Sequence, residues 1–443
     1  MKGMEIGKGS IFELEGIPAF RQVLPLALQH VVAMIVGCVT PAIIVSGAVS
    51  GGGMSQGDKV ILIQAALFVS AISTLLQLFP LGTKSGFHIG SSLPVIMGVS
   101  FAYVPSMQAI AEGYGVATIL GSQIAGGCVA IVVGLLVRKI RVFFPPLITG
   151  TVVFTIGLSL YPTAINYMAG GTSSETYGSW QNWAVAIFTL VVVTVLNHFG
   201  KGIVKLASIL IGMLFGYAVA LCFGMVSFAD VGNAAWFALP EPLHFGLKFD
   251  PASCVAIGLL FAINSIQAIG DFTATTVGGL DRDPTDQELQ GGIIAYGTSN
   301  ILTALMGGLP TATYSQNVGI VTTNKVVNRT VFAIAGGFLL LAGISPKFAA
   351  LLTTIPQCVL GGATVTVFST IAMTGMKLIA SQDLTARNTT IVGLSAALGV
   401  GISQASEALS QFPEAFTMVF GQSPVVIATI MAVLLNLILP KEK

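Results

Sequence analysis

Long stretches without any charged residue constrain the fold of this chain more than any other feature. No Asp, Glu, Lys or Arg lies between Lys59 and Lys84, or between Glu288 and Lys325. A hydrocarbon core is crossed by about 20 apolar residues of helix, and several stretches reach this length. Charged residues make up 8% of the 443, against about a quarter in soluble domains. The pattern predicts an all-α polytopic membrane protein whose function depends on the few polar groups inside the bilayer.

Terminal and cysteine patterns exclude several other classes. Residues 1–22 are polar and of mixed charge, so no cleavable signal is expected there. The five cysteines lie in apolar segments and none has CxxC spacing, which predicts neither a disulfide framework nor a metal site. A net charge of +1 gives no reason to expect a nucleic-acid partner. We expect one integral membrane domain over residues 1–443, with no cofactor.

Apolar segments predict fourteen membrane spans with both termini in the cytoplasm. With that orientation every cluster of basic residues falls inside, for example Arg138 and Lys139, as the positive-inside rule requires. The acidic loop 280–288 is the exception, but acidic residues contribute little to orientation. The predicted spans are 22–44, 59–80, 88–105, 108–137, 145–168, 182–198, 203–226, 252–276, 291–309, 311–324, 330–345, 348–376, 388–403 and 423–440.

Spans three and ten are broken in the same way. Each contains a Leu-Pro pair, at Pro94 and at Pro310, and each has a polar residue six positions after the proline, Ser100 or Gln316. Corresponding broken segments in two halves of a chain indicate a transporter site at an inverted-repeat interface. They divide fourteen spans into seven plus seven. The alternative interpretation is two proline-kinked helices that match by chance.

Span eight carries the largest set of polar groups within a predicted span. Asn264, Gln267 and Asp271 are three and four residues apart, which places them on one helical face. We favour a functional role for Gln267. For Asp271, function and a structural role at a broken segment are equally open. His30, midway along span one, is either a packed structural group or a hydrogen-bonding partner near physiological pH.

The sequence lacks several common motifs of nucleotide binding and hydrolytic catalysis. It contains no GxxxxGK[ST] loop, no HExxH and no GxSxG, so we do not expect an enzyme or a complete ATP-driven pump. The remaining functions are gradient-driven transport, exchange and conduction through a channel.

A family resemblance narrows these possibilities. The segment 316–325, QNVGIVTTNK, resembles the signature of the nucleobase–ascorbate transporters, or nucleobase/cation symporter-2 family. It matches at Gln316, Asn317, Gly319 and Lys325, and departs from the family pattern at Asn324. Other segments are similar to bacterial xanthine and urate permeases: 11–15, 29–30, 40–42, 268–275 and 355–363.

This resemblance implies two inverted seven-span repeats, 22–226 and 252–440, arranged as a core and a gate domain. Spans three and ten would each contain a short strand followed by a half-helix. The site would lie between these strands, span eight and span one. The candidate substrate-binding residues are His30, Ser100, Phe101, Gln267, Tyr296, Gln316 and Asn317, with Asn264 and Asp271 as coupling or structural polar groups.

Two positions depart from the family. The family has a glutamate where this chain has Gln267, and its purine permeases have an aspartate where this chain has Tyr296. An amide does not titrate and tyrosine has an ordinary pKa of about 10, so neither exchanges a proton near neutral pH. Asp271 and His30 are the remaining titratable groups for coupling to H⁺. Coupling to Na⁺ is also open.

We therefore expect a homodimeric nucleobase permease of a bacterial inner membrane, in contact with the lipid bilayer. Its expected substrate is an oxidised purine, xanthine or urate. One alternative is an uncoupled facilitator or exchanger for another heterocycle. Others are an anion channel on the same inverted-repeat architecture, or a sensor that binds without transport.

Overall fold

The computed structural model describes residues 9–50, 53–82, 88–140, 145–172, 174–413, 416–421 and 423–440, and this part of the chain is mostly helical. The helices are α1 (Phe20–Ala48), α2 (Gln56–Leu78), α3 (Val104–Tyr114), α4 (Val116–Leu135), α5 (Val137–Ile140), α6 (Pro146–Ser159), α7 (Tyr161–Met168), α8 (Trp180–Phe199), α9 (Ile203–Leu206), α10 (Ser208–Cys222), α11 (Ala229–Asn233), α12 (Pro251–Leu280), α13 (Asp286–Leu305), α14 (Ser315–Asn324), α15 (Arg329–Gly343), α16 (Pro346–Thr353), α17 (Gln357–Ala380), α18 (Ala386–Gln404) and α19 (Pro424–Ile438). The strands are β1 (Leu81–Gly82), β2 (His88–Ile89), β3 (Met97–Val99) and β4 (Thr311–Thr313).

Several of these helices are long and apolar enough to cross a membrane. In the described part of the chain there are seven, counting α6 and α7 together as one. An eighth results if α15 and α16, which meet at an 80° bend, form one broken span. Helices α10 and α19 are apolar but shorter. The protein is therefore a multi-pass membrane protein.

Three predicted spans were wrong as continuous helices. The segment 203–226 is divided at Ala207, between α9 and α10. The segment 108–137 is divided at Gly115, whose φ of 83° ends α3 before α4 begins. That conformation suits glycine, which has no Cβ to clash. The segment 348–376 is divided around Pro356, which precedes the first residue of α17. Residues 346–353 belong instead to the bent pair with α15.

The helices pack into two groups. The core bundle consists of α1–α4 and α12–α16, together with β3 and β4. The flanking bundle consists of α6–α8, α10 and α17–α19, with α17 packed against α6, α7 and α8. Fewer contacts join the two bundles, and these include α12 with α19 and α1 with α10.

Glycine allows helices of the flanking bundle to approach closely. A Cβ on Gly157 of α6 would lie 2.6 Å from the Cβ of Ala372 in α17. A Cβ on Gly375 of α17 would lie 2.2 Å from the backbone nitrogen of Phe154. Small residues at such crossings let backbones meet without intervening side chains, as is typical of membrane helix pairs. This bundle is consequently held by direct backbone packing.

Helix α12 has defined signals at each end. The Asp250 carboxylate accepts a hydrogen bond of 2.8 Å from the Ser253 backbone nitrogen, and Pro251 occupies the first turn, where its missing N–H costs nothing. Asp281, at φ 52°, ends the helix in the left-handed region. The helix thus spans 30 residues without interruption and passes the broken segments.

The connection between α10 and α12 crosses the ends of several core helices. Within it, the Nδ1 atom of His244 lies 3.0 Å from Glu241 and its Nε2 atom 2.9 Å from Asp58 of α2. Carboxylates only accept hydrogen bonds when ionised, so binding to both at once requires a proton on each ring nitrogen. The hydrogen bond to Asp58 is the main cause that raises the pKa of His244 above its ordinary value.

We predict that this histidine makes stability depend on pH. Because its pKa is raised on folding, its contribution is complete below the unfolded pKa of about 6.5 and is lost as pH rises through the folded value. His244→Gln should therefore lower the melting temperature of the purified protein at pH 5.5, through the loss of about 1 kcal/mol, and change it little at pH 9. His198→Gln provides the control, because it removes an exposed imidazole that is bonded to the Thr194 carbonyl and not to carboxylates. Equal destabilisation by His244→Gln at both pH values would contradict this.

Candidate functional site

The two broken segments meet as a two-stranded antiparallel ladder. Strand β3 pairs with β4 in the register Met97↔Thr313, Gly98↔Ala312 and Val99↔Thr311. The short strands expected in spans three and ten are therefore present. The ladder extends at each end through backbone hydrogen bonds. The Ser100 backbone nitrogen donates to the Pro310 carbonyl at 3.0 Å, and the Tyr314 backbone nitrogen donates to the Ile96 carbonyl at 3.0 Å. Backbone groups freed by the helix breaks are thus satisfied within the protein, as the bilayer requires.

Close packing fixes this crossing. Gly98 lies directly beneath Tyr314, and a Cβ there would lie 2.5 Å from the Tyr314 ring and 2.7 Å from the Cys38 sulfur. The Tyr314 hydroxyl donates to the Val99 carbonyl at 2.7 Å. From α2, the Thr74 hydroxyl accepts from the Met97 nitrogen at 3.0 Å. The sequence did not identify Tyr314 or Thr74 as site-supporting residues, because their roles depend on contacts with segments far away in the chain.

Asp271 binds the segment that leads from β4 into α14. One carboxylate oxygen accepts from the Thr313 hydroxyl, and the other accepts from the Ser315 hydroxyl at 2.8 Å. These two residues flank Tyr314, and Ser315 directly precedes Gln316. Asp271 is therefore placed to fix the backbone that presents Gln316, which gives its structural role a concrete form. Thr313 and Ser315 were missed from the sequence, although a hydroxyl on either side of the break was the available signal.

A cavity of about 460 Å³ lies at this crossing, between the two bundles. The amides of Gln267 and Gln316 face into it, and neither makes a hydrogen bond to any part of the chain that the structure describes. Asp271 is the one formally charged side chain among the described lining residues. The opposite wall is formed by α6 and α17 of the flanking bundle, through Thr149, Val153, Ile156, Thr370, Ile371, Thr374 and Leu378.

Ser100 and Phe101 form one end of the cavity. The Ser100 hydroxyl accepts from the Ala102 nitrogen at 3.2 Å and so caps the 3₁₀ turn Phe101–Tyr103 that precedes α3. The Phe101 ring packs edge-on against Phe368 of α17, with ring centroids 5.2 Å apart. An aromatic ring from each bundle therefore closes this end.

His30 and Asn317 support the site from behind. The Asn317 amide donates to His30 Nδ1 at 3.0 Å and to the His30 carbonyl at 3.2 Å. The His30 ring also packs against Phe332, with centroids 4.5 Å apart. Neither residue is among those that line the cavity. Their geometry anchors α14 to α1, and their predicted contact with substrate stays a prediction.

Tyr296 and Asn264 also lie outside the cavity lining. The Tyr296 hydroxyl is hydrogen-bonded to the hydroxyl of Tyr103, and the Tyr296 ring stacks on Phe261 at 5.3 Å. The buried Asn264 amide donates to the Leu260 carbonyl at 3.2 Å. Through Tyr103, the last residue of the 3₁₀ turn that begins at Phe101, Tyr296 is positioned to hold this turn in place. A direct contact between Tyr296 and substrate stays a prediction.

The arrangement is that of a small-molecule site in a membrane transporter. Two amides that have no hydrogen-bond partner among the described residues face a cavity at the crossing of two broken helices, which is typical of transporter binding sites. Comparison with known families gives the particular class. A family model described as a permease family (Xan_ur_permease) matches residues 21–408. The chain belongs to this family, which is the nucleobase–ascorbate transporter family of the resemblance above.

Curated relatives are similar along nearly the whole chain. The xanthine permease of Bacillus subtilis is 34% identical over 422 residues, covering 95% of this chain and 94% of the relative. The uric acid permease PucJ of the same organism is 34% identical over 424 residues, covering 94% and 92%. The xanthine permease XanQ of Escherichia coli is 32% identical over 451 residues, covering 98% and 94%.

Solved structures share the fold at low identity. The transmembrane domain of the cyanobacterial bicarbonate transporter BicA has a TM-score of 0.57 at 13% identity, covering 94% of this chain and 98% of that one. The murine anion transporter Slc26a9 in its inward-facing state has a TM-score of 0.63 at 7% identity, covering 94% and 68%. At this identity the likeness concerns the fold alone.

Proposed function

We propose that this protein is a nucleobase permease that moves xanthine or urate across a bacterial inner membrane by alternating access. The observation that carries the proposal is that the amides of Gln267 and Gln316, which bond to no other described residue, face a cavity that is otherwise mainly apolar. An amide both donates and accepts, so each can pair with an N–H and an adjacent carbonyl on the edge of an oxopurine. The names of the curated relatives support this substrate class.

Counterflow tests the proposal directly. Purified protein in liposomes preloaded with unlabelled xanthine should accumulate labelled xanthine transiently, because a carrier exchanges bound substrate while it alternates. Urate, uracil and ascorbate would be tested beside xanthine to define the substrate. An anion channel on the same architecture would give conductance without counterflow, and a sensor would give binding without either. Absence of counterflow for every base would overturn the proposal.

We further propose that residues 22–226 and 252–440 form two inverted seven-span repeats, with core and gate domains as the moving parts. The antiparallel pairing of β3 with β4, each followed by a short helix, supports this arrangement. A homodimer is also proposed, on the resemblance alone.

Orientation gives a testable prediction. With both termini in the cytoplasm, position 174 lies outside and position 285 lies inside. Cysteine introduced as Ser174→Cys should react with a membrane-impermeant maleimide on intact cells, whereas Thr285→Cys should react only after permeabilisation. The native cysteines would first be replaced by alanine. External labelling at position 285 would contradict the predicted orientation.

Coupling gives another prediction, in which Gln267 is the deciding residue. An amide cannot take up a proton, so we expect transport by the parent protein to be weakly proton-coupled or uncoupled. Gln267→Glu should make uptake more dependent on pH, since it adds a titratable group to the cavity. Substrate-induced proton movement in proteoliposomes measures this for parent and variant side by side. Stoichiometric proton uptake by the parent that survives Asp271→Asn and His30→Gln would contradict it.

A further inference from the structure

A second cavity, also of about 460 Å³, lies at the other end of the helices that line the first. The first cavity touches the Ser100–Ala102 turn before α3 and the last turns of α17. The second touches Gln108 and Glu112, from the middle and last turn of α3, and Gln357, the first residue of α17. Both cavities therefore lie between the same two bundles, on opposite sides of the central crossing.

Contacts between the bundles separate the two cavities. Phe101 packs against Phe368, as described above. One helical turn further along α3, the Ser106 hydroxyl donates to the Ser423 hydroxyl at 2.9 Å, immediately before α19. The Thr163 hydroxyl of α7 donates to Gln108 at 3.3 Å. These contacts join the two bundles along α3, and the two cavities share no lining residue.

Two polar groups in the second cavity converge on one point. Tyr167 is only 7% exposed, yet its hydroxyl makes no hydrogen bond within the described parts of the chain. A Cβ on Gly47 would lie 3.6 Å from this hydroxyl and 3.6 Å from the Gln357 amide nitrogen. The hydroxyl and the amide therefore lie near the same side of Gly47, and no side chain at this position occupies the space beside them. The Tyr167 hydroxyl is thus open to the cavity and free to bond to a ligand there.

The chemistry of the lining favours an uncharged ligand. The converging groups are an amide and a phenol, and Gln108 adds a second amide. Glu112 is the one charged side chain among the described lining residues, and it is exposed. A planar heterocycle with N–H and carbonyl edges matches two amides and a hydroxyl, as in the first cavity. A cation would instead need several converging oxygen ligands.

We propose that the second cavity is a capture site, where the permease binds the same heterocycle before the bundles rearrange. This inference rests on the proposed function. Tyr167 and Gln357 hold the heterocycle's polar edge in the cavity beside Gly47. The cavity belongs to the opposite membrane face from the mouth of the first, so it receives substrate from that side.

Substrate protection of a cysteine tests this site separately from the central one. Thr172→Cys, at the rim of the second cavity, would be introduced into a chain whose five native cysteines are alanine, and its labelling by a maleimide followed with and without xanthine or urate. Gln316→Ala would be added to weaken binding at the central site, which is the first cavity. At a concentration of about twice the local Kd, occupancy should slow labelling about threefold, because only free sites react.

Matched variants decide the outcome. Adding Tyr167→Phe and Gln357→Ala should abolish the protection, and Ser227→Cys, exposed elsewhere on the chain, should show none. Protection that disappears with Gln316→Ala alone would assign the effect to the central site and overturn the proposal. Counterflow by the parent without any protection would overturn the capture site and leave the proposed permease function standing. Protection without counterflow would support binding at the second cavity and contradict the proposed permease function.

Discussion

Gln316→Ala and Gln267→Ala should each weaken equilibrium binding of the transported base by about 5- to 150-fold. The reason is that each amide loses a buried hydrogen bond to the ligand, which costs about 1–3 kcal/mol. Neither side chain has a protein partner in the described chain, so its removal should leave the fold intact. Binding of labelled base to purified protein, with a melting curve for each variant, measures the two effects separately.

Thr374→Ala provides a matched control for this pair. Thr374 lines the same cavity, but its hydroxyl already donates to the Thr370 carbonyl at 2.8 Å. It should therefore change binding by less than about twofold, since no ligand bond is lost. If both glutamine variants bind the best base as tightly as the parent, the site lies elsewhere.

Asp271→Leu should destabilise the protein and abolish binding together. The substitution leaves the hydroxyls of Thr313 and Ser315 without their acceptor, at a cost of about 1–3 kcal/mol each. Because these residues flank the turn that presents Gln316, the loss should displace that amide as well. Melting temperature and base binding would be measured on the same preparations. An unchanged melting temperature and unchanged binding would show that the carboxylate does not hold this segment.

Asp271→Asn separates geometry from charge. An asparagine keeps the shape and can accept from one hydroxyl while donating to the other. We expect it to retain most of the stability and binding that Asp271→Leu loses. If Asp271→Asn were as damaging as Asp271→Leu, the negative charge rather than the hydrogen-bond pattern would be the essential property.

The central crossing was largely predictable from sequence, because its causes are local. Proline removes a backbone donor and cannot continue a helix, so Pro94 and Pro310 marked the breaks. The polar face of span eight followed from helical spacing alone, and the structure brings Gln267 of that face together with Gln316 in one cavity.

Other features depended on contacts between distant parts of the chain. The partnership of His30 with Asn317 joins residues 287 positions apart, and no local pattern carries it. Tyr296 was predicted from its place relative to a family carboxylate, whereas its hydroxyl is directed toward Tyr103. The division of segment 108–137 at Gly115 was missed because glycine is common in membrane helices and is there usually compatible with an unbroken helix.

The ladder between β3 and β4 has a consequence for how affinity is distributed across the membrane. It ties the elements that carry Ser100, Phe101 and Gln316 into one unit, and Asp271 ties α12, with Gln267, to the same unit. A heterocycle held by these groups would keep its polar contacts while the two bundles move and open the site first to one membrane face and then to the other. Dissociation constants measured from the two sides should then be nearly equal. The direction of net flux would be set by concentration and by any coupled ion rather than by the site itself.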